Sequence, residues 1–116
     1  MRKLLVCLFV LCLLAYSTSS WAASLRLTWT DLSDNEVDFR VERSLNTAVL
    51  SFVQIATTAA NVATYTDALV VEGTSYAFRV KACNSAGCSS YSNTAVGVAP
   101  VSLPTTPSGL TATPLP

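Results

Sequence analysis

An alternating run of residues near the end of the folded region constrains the fold of this chain most strongly. Its apolar positions are Tyr76, Phe78, Val80 and Ala82. Arg79 and Lys81 lie between them, so apolar and polar side chains repeat with a period of two. Successive side chains of a β-strand point to opposite faces, and this period therefore predicts a strand with one buried face.

The same period recurs along residues 25–98, with strand centres about ten residues apart. We predict strands in the regions Leu25–Trp29, Phe39–Arg43, Phe52–Ile55, Ala63–Tyr65, Tyr76–Ala82 and Tyr91–Val98. Between them the sequence has turn-forming polar residues and no helical period. This arrangement is typical of an all-β protein that folds as an antiparallel sandwich or barrel.

The first 22 residues have the organisation of a secretory signal peptide. Arg2 and Lys3 precede a thirteen-residue apolar run over 4–16, and Ser20-Trp21-Ala22 has small residues at the cleavage positions. A spanning helix needs about 20 apolar residues, so a membrane anchor is the weaker interpretation. We predict a signal-peptide helix over 1–22 that is removed on export, leaving no membrane span. The mature chain would then be secreted and extracellular, at the cell surface or in the periplasm.

Removal of the signal peptide leaves five basic and seven acidic residues, a formal charge of −2. This balance gives no electrostatic reason to expect nucleic acid or an anionic membrane as a partner. We predict one small domain over residues 23–99. The segment 100–116 contains all five prolines and no charged residue, and we predict that it is an extended linker.

The mature chain would retain two cysteines, Cys83 and Cys88, on either side of the turn-forming sequence Asn84-Ser85-Ala86-Gly87. An even cysteine count in an exported chain predicts a disulfide, with Cα atoms ~4.4–6.8 Å apart. A free thiol is the alternative in a reducing compartment. Because the mature chain would have no histidine and no second cysteine pair, we predict neither a metal site nor a cofactor.

Several segments, in this order, resemble fibronectin type III modules of secreted microbial proteins. They are Trp29-Thr30-Asp31, Ser33-Asp34-Asn35-Glu36, Phe39-Arg40-Val41-Glu42-Arg43-Ser44, Tyr65-Thr66-Asp67, Gly73-Thr74-Ser75-Tyr76-Ala77-Phe78-Arg79-Val80-Lys81-Ala82, Asn84-Ser85-Ala86-Gly87 and Tyr91-Ser92-Asn93. The resemblance covers residues 24–99 and implies an antiparallel immunoglobulin-like β-sandwich.

The resemblance also implies roles for individual residues. Trp29 is expected between the two sheets, packed against Phe39, Val41, Phe78 and Val80. Tyr76 lies where such modules have a tyrosine corner, with its hydroxyl bonded to nearby backbone.

The chain departs from the family pattern at both ends. Nothing corresponds to the first strand of the family, strand A, while Pro107–Thr113 resembles the start of strand A of a following module. We interpret the chain as a truncated piece of a tandem array. Because the first strand is then an open edge, we expect weak stability or self-association, with the tail extending away from the sandwich.

The remaining polar residues suggest little chemistry. The acidic residues Asp31, Asp34, Glu36 and Asp38 could hold calcium, but their spacing fits turn capping better. Pairing of Glu36 or Glu42 with Arg40 or Arg43 is a further expectation. Without histidine no catalytic triad can be assembled, and a carboxylate pair would have no cleft, so we predict no enzyme.

The function that this sequence favours is a non-catalytic spacer or interaction module of a multidomain protein. Its partners would be adjacent modules and an unknown protein or polysaccharide. The alternative is a carbohydrate- or protein-binding adhesion module. Phe52 and Tyr91 are the two rings expected to be exposed, and two scattered rings would make a weak platform for sugars.

Overall fold

The computed structural model describes residues 23–116, and the predicted signal peptide lies outside these residues. Seven strands follow one another along this part of the chain: β1 (Leu25–Thr28), β2 (Asp38–Leu45), β3 (Val53–Ala59), β4 (Thr64–Asp67), β5 (Ser75–Asn84), β6 (Gly87–Cys88) and β7 (Ala95–Val98). The described part of the chain contains no helix. It therefore also contains no helix long and apolar enough to cross a membrane.

The strands form two antiparallel sheets. One sheet pairs β1 with β4, and the other has the order β3-β2-β5-β6, with β7 also paired to β5. β2 and β5 are the central pair, aligned from Asp38 opposite Cys83 to Leu45 opposite Tyr76. Apolar residues of both sheets face each other, which confirms the predicted all-β antiparallel sandwich.

The core consists of two clusters between the sheets. One contains Ala23, Val70, Tyr76, Phe78 and Ala99, and the other contains Phe39, Val41 and Val80. Leu27 and Ile55 are partly buried and contact both clusters. The buried members on β2 and β5 alternate along their strands, which is the geometric consequence of the period of two.

Trp29 packs against Phe39, Val41 and Val80 as expected, but it lies at the rim of the core. It follows β1, is only partly buried, and packs edge-on against Phe39 with ring centroids 5.5 Å apart. It contacts the cluster of Phe39, Val41 and Val80, whereas Phe78 belongs to the other cluster. The reason is that β1 has β4 on one side and no described strand on the other, so Trp29 stands at the rim of the core.

Two polar contacts outside the sheet ladders also stabilise the sandwich. Arg43 of β2 and Asp67 of β4 form an ion pair, with Nη1 and Oδ2 2.8 Å apart. The Tyr76 hydroxyl accepts a hydrogen bond of 2.9 Å from the backbone N–H of Val71. Gly73 lies in the turn between these two residues with φ of +73°, a conformation that favours glycine.

The last strand begins later than the sequence predicts, at Ala95 rather than Tyr91. The segment before it pairs with β5 partly through side chains: Val80 N–H donates to Ser92 Oγ at 3.0 Å, and Ser92 N–H donates to the Val80 carbonyl at 2.7 Å. Beyond Ala99, residues 100–116 have no secondary structure, and every one of them is exposed.

Candidate functional site

The outer face of the larger sheet contains an ordered group of charged and aromatic side chains. Glu42 of β2 lies directly opposite Arg79 of β5. Arg79 donates from Nε and Nη2 to Glu42 Oε1, at 3.0 and 2.8 Å. The pair therefore has charge-assisted bonds of short length and defined direction.

Two rings enclose the Arg79 guanidinium. Its Cζ atom lies 4.1 Å from the centroid of Phe52 and 3.6 Å from the centroid of Tyr91. The Tyr91 hydroxyl donates to Glu42 Oε2 at 2.8 Å, and Lys81 Nζ donates to the Tyr91 hydroxyl at 3.2 Å. We call Glu42, Phe52, Arg79, Lys81 and Tyr91 the Arg79 layer.

The protonation of Glu42 follows from these contacts. Burial opposes its ionisation, but the hydrogen bonds from Arg79 and Tyr91 and the charges of Arg79 and Lys81 outweigh this effect. The pKa of Glu42 is consequently below its ordinary value. At neutral pH the carboxylate is ionised and neutralises part of the positive charge around it.

The Arg79 layer corrects two expectations from the sequence. Glu42 pairs with Arg79 across strands, and not with Arg40 or Arg43 nearby in the chain. Phe52 and Tyr91 are not scattered, because both lie against the same guanidinium. The sequence signal for this pairing is that Glu42 and Arg79 both occupy outward positions of alternating strands, but their register becomes known only from the sheet.

In the acidic loop between β1 and β2, carboxylates accept hydrogen bonds from other groups of the protein. Ser33 Oγ donates to Glu36 Oε2 at 2.6 Å, and Asn61 N–H donates to Glu36 Oε1 at 3.1 Å. Chiefly through the bond from Ser33, the pKa of Glu36 is lowered to about 2. Asp31 accepts a bond from the N–H of Ser33, and Asp38 pairs with Arg40. Over residues 23–116 no group of three or more potential ligands could hold a metal ion.

A disulfide joins Cys83 of β5 to Cys88 of β6, which face each other across the hairpin. Their Cα atoms are 4.0 Å apart, closer than the ~4.4–6.8 Å expected. The hairpin also holds the β1–β2 loop: Val37 N–H donates to the Cys83 carbonyl at 2.8 Å, and Asn84 Nδ2 donates to the Asn35 carbonyl at 3.2 Å. The bridge therefore stabilises one end of the sandwich.

A groove of about 650 Å³ runs between β1 and the strands of the facing sheet. Its apolar lining residues include Leu25, Leu27, Trp29, Phe78, Val80 and Ala95. Its charged lining residues are Arg26 and Arg79, both basic. Trp29 also has a buried Nε1 donor without an acceptor among the described residues. We call this feature the β1 groove.

No family model matches the sequence, and no curated protein matches it either. Solved structures do match. A crystal structure of titin domains superimposes with a TM-score of 0.61 at 27% identity, covering 72% of this chain and 30% of the titin chain. The solution structure of a fourth FNIII domain from human gives 0.60 at 21% identity, covering 72% of each chain.

A third match is the fibronectin type III domain of human fibronectin type III domain containing protein 3. Its TM-score is 0.56 at 24% identity, and the match covers 72% of this chain and 78% of that domain. A twitchin kinase region from C. elegans also matches, but this chain spans only 14% of its length. The two solution structures are both of fibronectin type III domains.

Proposed function

The chain contains a fibronectin type III-like domain, and from this premise we propose that it is a non-catalytic spacer or interaction module of a secreted or cell-surface multidomain protein. The observation that carries the proposal is the ion pair between Arg43 and Asp67, which joins the two sheets. A spacer must transmit position from one neighbour to the next. Two sheets connected by a buried ion pair and a shared core move as one body.

The hydrogen bonds of two carboxyl groups support a non-catalytic role. Glu42 is bonded to Arg79 and Tyr91, and Glu36 is bonded to Ser33 and Asn61. General acid or base catalysis needs a titratable group that faces substrate with a pKa near the working pH. Both carboxyls have lowered pKa values and internal partners, which suits structural roles.

The disulfide and the first 22 residues support export. A bridge between Cys83 and Cys88 persists in oxidising compartments and is rare in the cytosol. The partners that we propose are adjacent modules of the parent protein and a protein or polysaccharide of the cell exterior. The net charge of the mature chain favours neither nucleic acid nor an anionic membrane.

NMR relaxation of the backbone amides tests the spacer proposal. The amides of the β1–β4 sheet and of the β2–β5 pair should report one shared rotational correlation time. Residues 100–116 should show faster local motion, because they make no sheet contacts. Independent motion of the two sheets would contradict the proposal, since a jointed module cannot hold a fixed distance.

The Arg79 layer favours a second candidate function, recognition of a protein partner. Tyr and Arg are enriched at the centres of protein interfaces, and Tyr91 is exposed. One face of each ring is already covered by Arg79, which makes the layer less suited to stacking a sugar. Tyr91→Ala should weaken capture of a protein partner from the extracellular fraction, whereas Tyr65→Phe in the other sheet should not. Equal capture by both variants would remove this candidate.

A further inference from the structure

Among the residues that the structure describes, only β4 pairs with the backbone of β1, on one side. Trp29 N–H donates to the Ala63 carbonyl at 3.1 Å, and Thr64 Oγ donates to the Leu27 carbonyl at 3.0 Å. Leu27 and Trp29 therefore direct their backbone groups toward β4. Backbone groups alternate in direction along a strand, so those of Arg26 and Thr28 point to the opposite side. Among the described strands, none pairs with that side.

The β1 groove lies along this open side. Phe78, Val80 and Ala95 of the facing sheet line it, so apolar side chains of the core border the space that a further strand would occupy. An exposed edge with unpaired N–H and C=O groups is a template for pairing with another chain. A strand placed here would satisfy the backbone of Arg26 and Thr28 and would cover the apolar lining at the same time.

We infer that the β1 groove binds the tail segment Leu110–Thr113 of a second copy of this chain, as a strand antiparallel to β1. The segment has four residues, as does β1. Its apolar residues, Leu110 and Ala112, alternate with two threonines, so one face suits the core and the other suits solvent. The whole tail is exposed, and Leu110 is 99% accessible.

The chain's own tail is badly placed to fill its own groove. Ala99, at the end of β7, packs in the same cluster as Ala23, just before β1. Gly97 lies beside Leu25, where an added Cβ would be 3.4 Å from the leucine side chain. The tail thus departs from the end of the sandwich where β1 begins, and a return along the groove would run parallel to β1. The tail of a second copy can enter from the other end, near Thr30, and run antiparallel.

The contact is heterologous, since the tail of one copy meets the groove of the next. Such contacts produce open-ended filaments of many copies unless two copies exchange tails reciprocally. In a filament, the tail leaves one copy at one end of its module and enters the groove of the next copy at the opposite end. This inference goes beyond the spacer proposal, and a chain that stays monomeric would overturn the inference and leave that proposal standing.

Sedimentation velocity on the exported full chain tests the inference over a wide range of concentration. The mean mass should rise with concentration above that of one chain. Leu110→Lys combined with Ala112→Lys should abolish the rise, because the two lysines would have to bury unpaired charges against the apolar lining of the groove. Leu103→Lys is the matched control: it lies in the same tail, is 92% exposed, and should leave association unchanged.

A second variant tests the groove side. Thr28→Pro removes an outward N–H without removing a bond to β4, which edge strands tolerate. It should fold, as near-UV circular dichroism can show, and should not self-associate. The Thr28→Pro variant keeps a normal tail, and the double tail variant keeps a normal groove. Mixing the two should therefore restore one contact between tail and groove and give a one-to-one complex.

Three results would overturn the inference. The wild-type chain could remain monomeric at all concentrations, as expected if another segment of the same chain fills the groove. Association could persist in the double tail variant, as expected for direct pairing of two β1 edges. The two variants could also fail to form a complex when mixed while each remains folded.

Discussion

Arg43 and Asp67 form an ion pair between the two sheets, with 2.8 Å between Nη1 and Oδ2. The Asp67 side chain is 2% exposed, and its Oδ1 accepts a further bond of 3.1 Å from Leu69 N–H. The Arg43 guanidinium lies over the Tyr76 ring, 5.2 Å from its centroid. Both carboxylate oxygens are therefore bonded, and the pair stabilises the sandwich as long as both partners are present.

Removing the cation should destabilise the fold strongly. In Arg43→Met the Asp67 carboxylate stays buried without its counter-ion, which typically costs about 3 kcal/mol. Adding Asp67→Asn should recover part of the loss, since the buried group is then neutral. Arg40→Met is the matched control, because its partner Asp38 is more exposed and such pairs contribute ~1 kcal/mol or less. Urea denaturation measures the free energy of unfolding of these three variants. Equal losses of stability for Arg43→Met and Arg40→Met would refute the role of the ion pair.

Reduction of the disulfide should lower stability by a smaller amount. Closing the short loop between Cys83 and Cys88 contributes about 2 kcal/mol on the chain-entropy model. The urea midpoint should therefore fall when a reductant is added. A Cys83→Ala and Cys88→Ala double variant should start at the lower midpoint and be insensitive to reductant. A midpoint unaffected by reduction in the wild type would contradict the bridge.

Acid should destabilise the protein through Glu36. Its pKa is about 2 in the folded state against an ordinary 4.5, so folding favours the ionised form. The stabilisation is complete above about pH 4.5 and is lost as the pH falls toward 2. Glu42 contributes in the same direction, since its pKa is also lowered.

Two substitutions separate the Glu36 contribution from the rest. Glu36→Gln removes the titrating group. Between about pH 5 and pH 2, the urea midpoint of this variant should therefore fall less than that of the wild type. Ser33→Ala should reduce the fall partly, because the Ser33 hydroxyl is the main cause of the lowered pKa. Ser90→Ala, at an exposed position, serves as the control. An unchanged slope in Glu36→Gln would assign the acid sensitivity to other groups.

The alternation of single strands could be read from the sequence, whereas contacts between strands could not. Tyr76, Phe78 and Val80 are buried because the period of two assigns them one face, whatever lies opposite. Glu42 meets Arg79 only through the register of β2 with β5, which depends on long-range pairing. For the same reason, the enclosure of one guanidinium by Phe52 and Tyr91 could not be predicted from the sequence.

Export predicts a defined N-terminus. The small residues at Ser20 and Ala22 should direct cleavage so that the secreted chain begins at Ala23 or Ser24. Intact-mass spectrometry of the protein from the extracellular or periplasmic fraction measures this directly. Exported protein that retains Met1 would contradict both the signal peptide and the boundary of the domain.

The proposed pairing of the tail with β1 depends on β1 being bonded to β4 on one side and open on the other among the described strands. Hydrogen exchange of single amides in dilute solution tests this most directly. The Leu27 and Trp29 amides should exchange slowly, because they face β4, whereas those of Arg26 and Thr28 should exchange rapidly. Slow exchange of Arg26 and Thr28 should appear only at concentrations where the chain self-associates. Protection of Arg26 and Thr28 in the dilute monomer, or rapid exchange along the whole of β1, would contradict the account.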